Sequence, residues 1–415
     1  MASHIAITPA GYLDSRIAIA ACRAGEIGIF DLGCHNAPQT TRAAIDSLAA
    51  NAGPNAQWGI RWDTFGSAER GLEQLAEFIP QRVPILVLAG LKPDDLVFTG
   101  MQPKELAALK KKIKRLARKI FVEVWDLPSA LAAEASGCDG LILKGHESGG
   151  WVSRHSSFIL LQELHGRVNI PYWVQGGMGA HATAAAVLAG AAGAVLCEQL
   201  WLADESPFVG TPQARAWAAL DGSESVLIGP EQRSFRLFGR AARERLEALE
   251  QAVIRGDDWE TLLLESLARA DSPLLQMGED IALAAALARR HGTVGRILAA
   301  LSSGTEQALR AARAQRALEP DSPLARLHGT RYPIVQGPMT RVSDVAGFAK
   351  AVADGGGLPF IALSVMRQEQ VQSLLAKTAE LLGDKPWGSA SSVSCRWSCA
   401  RPSLKWSARS SRASR

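Results

Sequence analysis

The densest group of potentially reactive side chains is the stretch LKGHESGGWVSRHSS, residues 143–157. It brings Lys144, His146, Glu147 and His155 into one short segment, together with a Gly-Gly pair. Histidine and glutamate can transfer protons, and a lysine can stabilise negative charge on a reacting group. Because apolar runs come directly before and after it, the segment is predicted to be a loop between a strand and a helix. It is a working catalytic loop, the remains of one, or a polar loop.

A second candidate site is the glycine-rich stretch VQGGMGAHATAAA, residues 174–186. Gly176, Gly177 and Gly179 carry no side chain, so backbone N–H groups there can approach an anion closely. A helix predicted to begin near Ala180 would direct its positive end to the same place. The pattern predicts phosphate binding, with a tight turn that holds no ligand as the alternative.

Both stretches belong to a regular alternation of apolar runs and helical patterns. Eight runs rich in Ile, Val and Leu lie at residues 4–8, 27–32, 58–63, 85–90, 120–125, 140–145, 171–177 and 193–198. Most are almost continuously apolar, as parallel strands buried on both faces must be. The clearest helical pattern between them is residues 103–120. The alternation predicts an α/β fold, a (β/α)₈ TIM barrel over residues 1–206, in which ligands bind at the carboxyl ends of the strands.

The alternation stops after residue 206. Residues 207–318, including SFRLFGRAARERLEALEQAVI (234–254), have helical patterns and predict a helical C-terminal subdomain. Residues 319–329 contain two prolines and a glycine and are predicted to be a linker.

The chain then begins to repeat itself. Residues 333–363 match residues 4–32, so we expect residues 330–388 to be the start of a second, incomplete barrel. Residues 389–415 contain ten serines, five arginines and no acidic residue, which predicts a disordered Ser/Arg-rich tail. The abrupt change near residue 389 suggests a truncated or frame-shifted product of a longer reading frame.

Charge and cysteine content argue against several classes of protein. The net charge is +4, but residues 389–415 hold six basic groups, and the rest of the chain has 39 basic and 41 acidic groups. The basic character therefore indicates no nucleic-acid partner. Six scattered cysteines without CxxC or Cys/His spacing predict reduced thiols in a cytoplasmic protein, and no metal site. No signal peptide is recognisable, and the longest apolar run, residues 182–196, is shorter than the roughly 18 residues of a membrane span.

Three segments in order resemble one family. KGHESGGW (144–151), VQGGMGAHATAAAVLAGAAGAVL (174–196) and, in the second copy, PIVQGPM (333–339) are similar to the nitronate monooxygenases, or 2-nitropropane dioxygenases. These are FMN-dependent (β/α)₈ barrels related to flavin enoyl-acyl reductases. The resemblance covers residues 4–206 and continues at residues 277–297. The tandem arrangement looks most like the versions embedded in polyketide and polyunsaturated fatty-acid synthases.

The resemblance implies roles for the matching residues. Lys144 would lie beside the flavin ring and stabilise negative charge on the reduced cofactor, and His146 is a second catalytic candidate. The positions that it assigns to FMN, besides Lys144, are Glu147, Gly149, Gly150, Gln175, Gly176, Gly177, Met178, Gly193 and Ala194.

The sequence departs from the family pattern in the catalytic loop. The family places a histidine base directly after the Gly-Gly pair, where this chain has Trp151. Indole only donates a hydrogen bond and cannot act as a general base. His146 and His155 flank the gap, and His146 is expected to be a satisfied polar residue.

Other departures affect the flavin contacts. The QGPM turn of the first strand is ITPA here, with Ile7 and Ala10, whereas the second copy retains QGPM at residues 336–339. A Gly-Thr pair after the eighth strand is replaced by Cys197 and Glu198, and an asparagine of the third strand by Arg61. A carboxylate beside a phosphate is repulsive unless it turns away or is paired.

Three functions are compatible with these residues. The first is an FMN-dependent oxidoreductase of the nitronate monooxygenase or enoyl reductase type, part of a larger polyketide or fatty-acid synthase, acting on a nitronate or enoyl small molecule that a carrier can present. The second is a degenerate, non-catalytic barrel that serves such a synthase as a scaffold or docking module. The third is another phosphate-binding barrel, for example one for a phosphorylated sugar.

Overall fold

The computed structural model describes most of the chain. The described residues are 3–33, 38–64, 75, 79, 82–91, 115–239, 242–268, 272–391 and 394–399. They form two compact units, Met1–Ala308 and Leu309–Arg415. Most of the helix predicted at residues 103–120 lies outside the described residues.

The first unit contains a closed barrel of eight parallel strands. In chain order the first nine strands are β1 (Ser3–Ile7), β2 (Ile27–Asp31), β3 (Trp58–Asp63), β4 (Val83–Ala89), β5 (Ala117–Val124), β6 (Gly140–Lys144), β7 (Gly150–Val152), β8 (Tyr172–Gln175) and β9 (Gly193–Leu196). All except β7 belong to the barrel, which closes where β1 pairs with β9. The predicted TIM-barrel fold is confirmed, and each of the eight apolar runs contains one strand. β5 begins at Ala117, so the last residues of the predicted helix are in the strand instead.

The helices described between these strands are α1 (Arg16–Arg23), α2 (Pro38–Asn51), α3 (Leu127–Ser136), α4 (Ser157–Leu164) and α5 (Ala180–Leu188). Alternate strand residues face two different cores. One core lies between the strands and these helices, and the other fills the barrel interior, where Phe121 stacks on Trp173 with ring centroids 5.0 Å apart. Burial on both faces explains why the strands are continuously apolar in sequence.

The segment after the barrel combines helices with two short strands. Its elements are α6 (Pro212–Trp217), β10 (Val226–Ile228), β11 (Ser234–Leu237), α7 (Arg243–Arg255), α8 (Trp259–Leu267), α9 (Ile281–His291) and α10 (Val294–Gln315). The prediction that helix begins at residue 234 was wrong. Ser234–Leu237 is the middle strand of a three-stranded antiparallel sheet, β10-β11-β7, because pairing with the barrel loop overrides the local helical pattern.

The second unit starts a smaller α/β arrangement. Its elements are α11 (Pro323–His328), β12 (Val335–Gln336), α12 (Ala346–Asp354), β13 (Leu358–Ala362), α13 (Gln368–Leu382), β14 (Gly388–Ser391) and β15 (Ser394–Cys399). β12, β13 and β14 are parallel, as the start of a second barrel requires, and β15 is antiparallel to β14. The predicted linker contains α11. Residues 389–391 and 394–399, predicted to be disordered, contribute to β14 and β15, while residues 392–393 and 400–415 lie outside the described residues.

Among the described residues, no helix has the length and apolar character needed to cross a membrane.

Candidate functional site

A network of buried charges lies at the carboxyl ends of the barrel strands, centred on Arg61 of β3. The Arg61 guanidinium donates to Glu123 at 2.7 and 2.9 Å and to Asp31 at 3.0 Å. Asp63 lies 3.6 Å from the same guanidinium. All four side chains are at most 5% exposed. One arginine therefore holds three carboxylates together at the mouth of the barrel.

Burial and charge oppose each other in this network. Burial alone raises the pKa of Glu123, but the positive charges of Arg61 and Lys144 outweigh it, and the pKa of Glu123 lies below its usual value. For Asp31, burial dominates over the attraction of Arg61, and its pKa is raised. The network therefore favours the ionised form of Glu123 and makes Asp31 harder to ionise than a free aspartate.

Lys144 lies at the same mouth. It is the last residue of β6 and is 2% exposed, and its Nζ donates to the carbonyl oxygen of Gly149 at 2.7 Å. This bond folds the loop after β6 back over the strand end. A buried ammonium at this place can stabilise negative charge on a group bound above it.

The other polar residues of this loop stabilise the loop itself. His146 Nδ1 lies 3.2 Å from the carbonyl oxygen of Ser153. The Glu147 carboxylate accepts from Ser157, at 2.8 Å from its hydroxyl and 3.1 Å from its N–H, at the start of α4. His155 pairs with Glu163 at 2.9 Å. These contacts hold the loop in place through the Nδ1 atom of each histidine and the carboxylate of Glu147.

Trp151, which stands where the family resemblance predicts a histidine base, is held in place by its neighbours. It lies in the middle of β7, which pairs with β11, and it is 1% exposed. Its Nε1 donates to Asp63 at 3.2 Å, and the guanidinium of Arg233 lies 4.0 Å from its ring centroid. Phe235 packs edge-on against the indole. The sequence did not indicate that Asp63 and β11 would anchor this side chain.

The glycine turn follows β8 and contacts a residue from far along the chain. Gly176 and Gly177 have φ angles of 108° and 70°, which favour glycine. The Gly177 N–H donates to Asp280 Oδ1 at 2.8 Å. Gln199 Nε2 donates to Asp280 Oδ2 at 2.8 Å and to the carbonyl oxygen of Met178 at 3.2 Å. A carboxylate of the chain thus occupies the position at which an anion was predicted.

A second buried carboxylate, Glu198, lies between the loop after β6 and the residues before α9. Its Oε1 accepts from the Gly278 N–H at 2.7 Å, and a Cβ added at Gly149 would lie 2.5 Å from the same oxygen. Within the described part of the chain, Glu198 Oε2 and Gln175 Oε1 are buried and have no hydrogen-bond partner. The mouth therefore contains two buried oxygen atoms that accept no hydrogen bond from the described residues.

Two positions assigned to the cofactor lie elsewhere. Gly193 and Ala194 are the first residues of β9 and pair with β1 at its amino-terminal end, with Gly193 directly against the backbone of Ser3. The carboxyl end of β9 faces the glycine turn instead, through Gln199. Their assignment to the phosphate site stays a prediction. Met178 is assigned to the turn, but its buried side chain packs into the hydrophobic core, so only its backbone faces Gln199.

Neither metal ligands nor reactive thiols are found at the mouth. No group of three or more His, Cys, Asp and Glu side chains is arranged to hold a metal within the described ranges. Cys22, Cys138 and Cys197 are buried free thiols. Burial, followed by the negative charge of Glu198, raises the pKa of Cys197 well above its usual value, so this thiol beside the mouth stays protonated.

Comparison with known proteins finds a family model that matches part of the barrel. Residues 79–226, which carry β4 to β9 and the two candidate loops, match the family model described as nitronate monooxygenase. The barrel is nitronate monooxygenase-like. No curated protein sequence matches the chain.

Solved structures support the same fold for this nitronate monooxygenase-like barrel. FabK from Thermotoga maritima is 19% identical, with a TM-score of 0.57 over 74% of this chain and 94% of that one. A nitroalkane oxidase from Streptomyces ansochromogenes is 20% identical, with a TM-score of 0.52 over 74% and 96%. The enoyl reductase domain of MlnA, from the macrolactin biosynthesis cluster of Bacillus amyloliquefaciens, is 12% identical, with a TM-score of 0.53 over 75% and 95%. At these identities the structures show the fold alone.

Proposed function

We propose that the barrel is a flavin-dependent oxidoreductase domain, with FMN as its cofactor, and that it transfers hydride instead of oxidising nitronates through a protein base. The observation that carries the proposal is Lys144, a buried ammonium at the strand ends, inside the segment that matches the nitronate monooxygenase family. A flavin bound at this mouth would supply hydride-transfer chemistry. Lys144 would stabilise the negative charge of its reduced form.

The choice of hydride transfer rests on Trp151. Nitronate oxidation through a protein base needs a side chain that accepts a proton from the substrate carbon, and indole has no lone pair for this. His146 and His155 are held by Ser153 and Glu163. Reduction of an enoyl substrate through a flavin needs no such base. We therefore favour an enoyl small molecule over a nitronate.

The phosphate end of the mouth fits a cofactor less well than the ring end. The Gly177 N–H already donates to Asp280, and Glu198 is buried close by. Two like charges a few ångströms from a phosphate repel it strongly when they are shielded from water. As placed, these residues do not accommodate a phosphate at Gly177.

The test is flavin binding by the full chain. We expect a yellow protein, or quenching of FMN fluorescence on titration, and a flavin reduction potential that becomes more negative in Lys144→Met because the reduced form loses a nearby positive charge. Lys119→Met is the matched control, since Lys119 is exposed on β5. Purified protein that is colourless and leaves FMN fluorescence unchanged at saturating concentration contradicts the proposal.

A second function is favoured by the carboxylates at the glycine turn. Asp280 and Glu198, together with Trp151, fill the mouth with the chain's own groups, as expected of a non-catalytic barrel retained as a scaffold or docking module. The likeness to an enoyl reductase domain from a macrolactin biosynthesis cluster supports a synthase setting, with carrier-bound substrates, for either function. A stable, folded protein without flavin affinity would support this second function.

A further inference from the structure

We propose that Asp280 is an internal occupant of the anion position at the glycine turn, so that a phosphate ester binds there only by displacing its carboxylate. Asp280 would then determine the cofactor affinity of the barrel. The inference builds on the proposed function, because the phosphate ester that we expect is that of a flavin nucleotide.

The contacts of Asp280 are those that a bound anion would make. One oxygen accepts from the Gly177 N–H at 2.8 Å and the other from Gln199 Nε2 at 2.8 Å. The turn leads directly into α5, whose N-cap, Gly179, provides no side-chain hydrogen bond. Backbone N–H groups and the positive end of a helix are what anion sites in proteins use. The carboxyl group of Asp280 occupies this position from within the chain.

The turn leaves room for an external ligand beside this carboxylate. Asp280 is 3% exposed, whereas Gly177 is exposed, and a Cβ added at Gly177 or Gly179 would meet no atom within 4 Å. A ligand can therefore reach the turn from the open side, where it competes with Asp280 for the Gly177 N–H.

Unsatisfied polar atoms indicate that the site is built for more than the carboxylate. Glu198 Oε2 and Gln175 Oε1 have no partner among the described residues, although both side chains are at least nine-tenths buried. Buried acceptors without donors are costly and uncommon. A ligand with a phosphate at the turn and hydroxyl or N–H donors further into the mouth would satisfy both.

The charges around Asp280 make its displacement possible. Its carboxylate faces Glu198 and Glu147, and burial followed by the charge of Glu198 raises its pKa well above the usual range, against the lowering by the Gly177 N–H. The cost of ionising Asp280 in this place is therefore already high. Protonation removes the repulsion between Asp280 and an incoming anion.

The experiment compares sulfate and FMN binding to the full chain by calorimetry, at constant ionic strength, in wild type, Asp280→Ala and Asp257→Ala. Asp257 is an exposed carboxylate that pairs only with the exposed Arg255, and it serves as the control for a lost charge. We expect sulfate to bind at least about tenfold more tightly to Asp280→Ala, which corresponds to about 1.4 kcal/mol. Asp257→Ala should bind sulfate as the wild type does.

Unchanged sulfate affinity in folded Asp280→Ala would overturn the inference. If that variant does not fold, Asp280→Asn removes the charge and keeps an acceptor for Gly177, and the same comparison applies with a smaller expected gain. In wild type, the affinity for sulfate should rise as pH falls through the raised pKa of Asp280, because sulfate keeps its charge while Asp280 gains a proton; a flat profile also contradicts the inference. Tighter sulfate binding without FMN binding in any variant would leave the inference standing and reject the flavin function.

Discussion

The loop after β6 and the glycine turn after β8 depart from a flavin site in different ways. In the loop after β6, the departure expected from the family resemblance lies in the sequence itself, at Trp151, and the pairing of β7 with β11 fixes this tryptophan. The glycine turn retains its residues, but Asp280, 103 positions away, occupies its N–H group. A motif can therefore remain intact in sequence while its site is altered by a residue from a distant segment.

The two regions also carry charge differently. Beside the loop after β6, Arg61 pairs with three carboxylates at short range. At the glycine turn, Asp280 and Glu198 are buried near each other and accept only neutral donors. Variants in each region should therefore differ in both the size and the pH dependence of their effects.

The largest effect is expected for Arg61→Met. It leaves Asp31, Asp63 and Glu123 buried without their cation, and breaking a buried ion pair from one side typically costs about 3–5 kcal/mol. Urea unfolding followed by tryptophan fluorescence measures this loss. Arg243→Met is the matched control, because the Arg243 side chain in its pair with Glu247 is 88% exposed, and such pairs contribute about 0–1 kcal/mol. Similar losses in both variants would show that the buried network does not stabilise the mouth.

An intermediate effect is expected for glycine substitutions in the two loops. Gly149→Ala places a methyl group 2.5 Å from Glu198 Oε1 and 2.9 Å from the Gly278 nitrogen, and overpacking of this kind costs roughly 1–3 kcal/mol. Gly177→Ala meets no atom but adopts a φ of 70°, which costs an alanine roughly 1–2 kcal/mol. Gly149→Ala should therefore lose more stability in urea unfolding. The reverse order would mean that the loop after β6 can move away from Glu198.

The smallest effect concerns pH and should have opposite signs in the two regions. Because the pKa of Asp280 is raised in the folded state, its stabilising contribution is present below about pH 4 and is lost as pH rises through the raised pKa. The pKa of Glu123 is lowered, so its contribution is present above its unfolded value and is lost as pH falls through the lowered pKa.

Stability measured against pH distinguishes these cases. Relative to Asp280→Asn, the wild type should lose stability as pH rises, by at most about 1.4 kcal/mol per pH unit. Relative to Glu123→Gln, the wild type should gain stability as pH rises through the acidic range. If stability changes with pH in the same direction relative to both variants, the two regions do not have the opposite pH dependence that their contacts indicate.

The sequence predicted the barrel well because its signal is local. Strands buried on both faces are continuously apolar, and each of the eight runs from residue 4 to residue 198 contains a barrel strand. Lys144 was placed correctly at the end of β6, since the loop chemistry begins where the apolar run stops. The assignment of Lys144 to a flavin ring stays a prediction.

The parts that the sequence did not predict depend on contacts between distant segments. Asp280 is followed by an ordinary helical pattern, and nothing local indicates that it accepts from Gly177. The residues of β11 have a helical pattern and become a strand because β7 offers an edge for pairing. Gly193 opens its strand as the sequence predicted, but the sequence did not show that this end of the strand lies away from the glycine turn.

The pairing of β7 with β11 has a consequence for the order in which the protein is built. During translation, all eight barrel strands have been synthesised by residue 196. The strand that pairs with β7 beside Trp151 follows at residues 234–237, and Gly278 and Asp280 follow later. Until then β7 lacks its partner strand, and Trp151 lacks its contact with Phe235. The mouth of the barrel can thus be completed only after Asp280 has been synthesised, later than the eight strands.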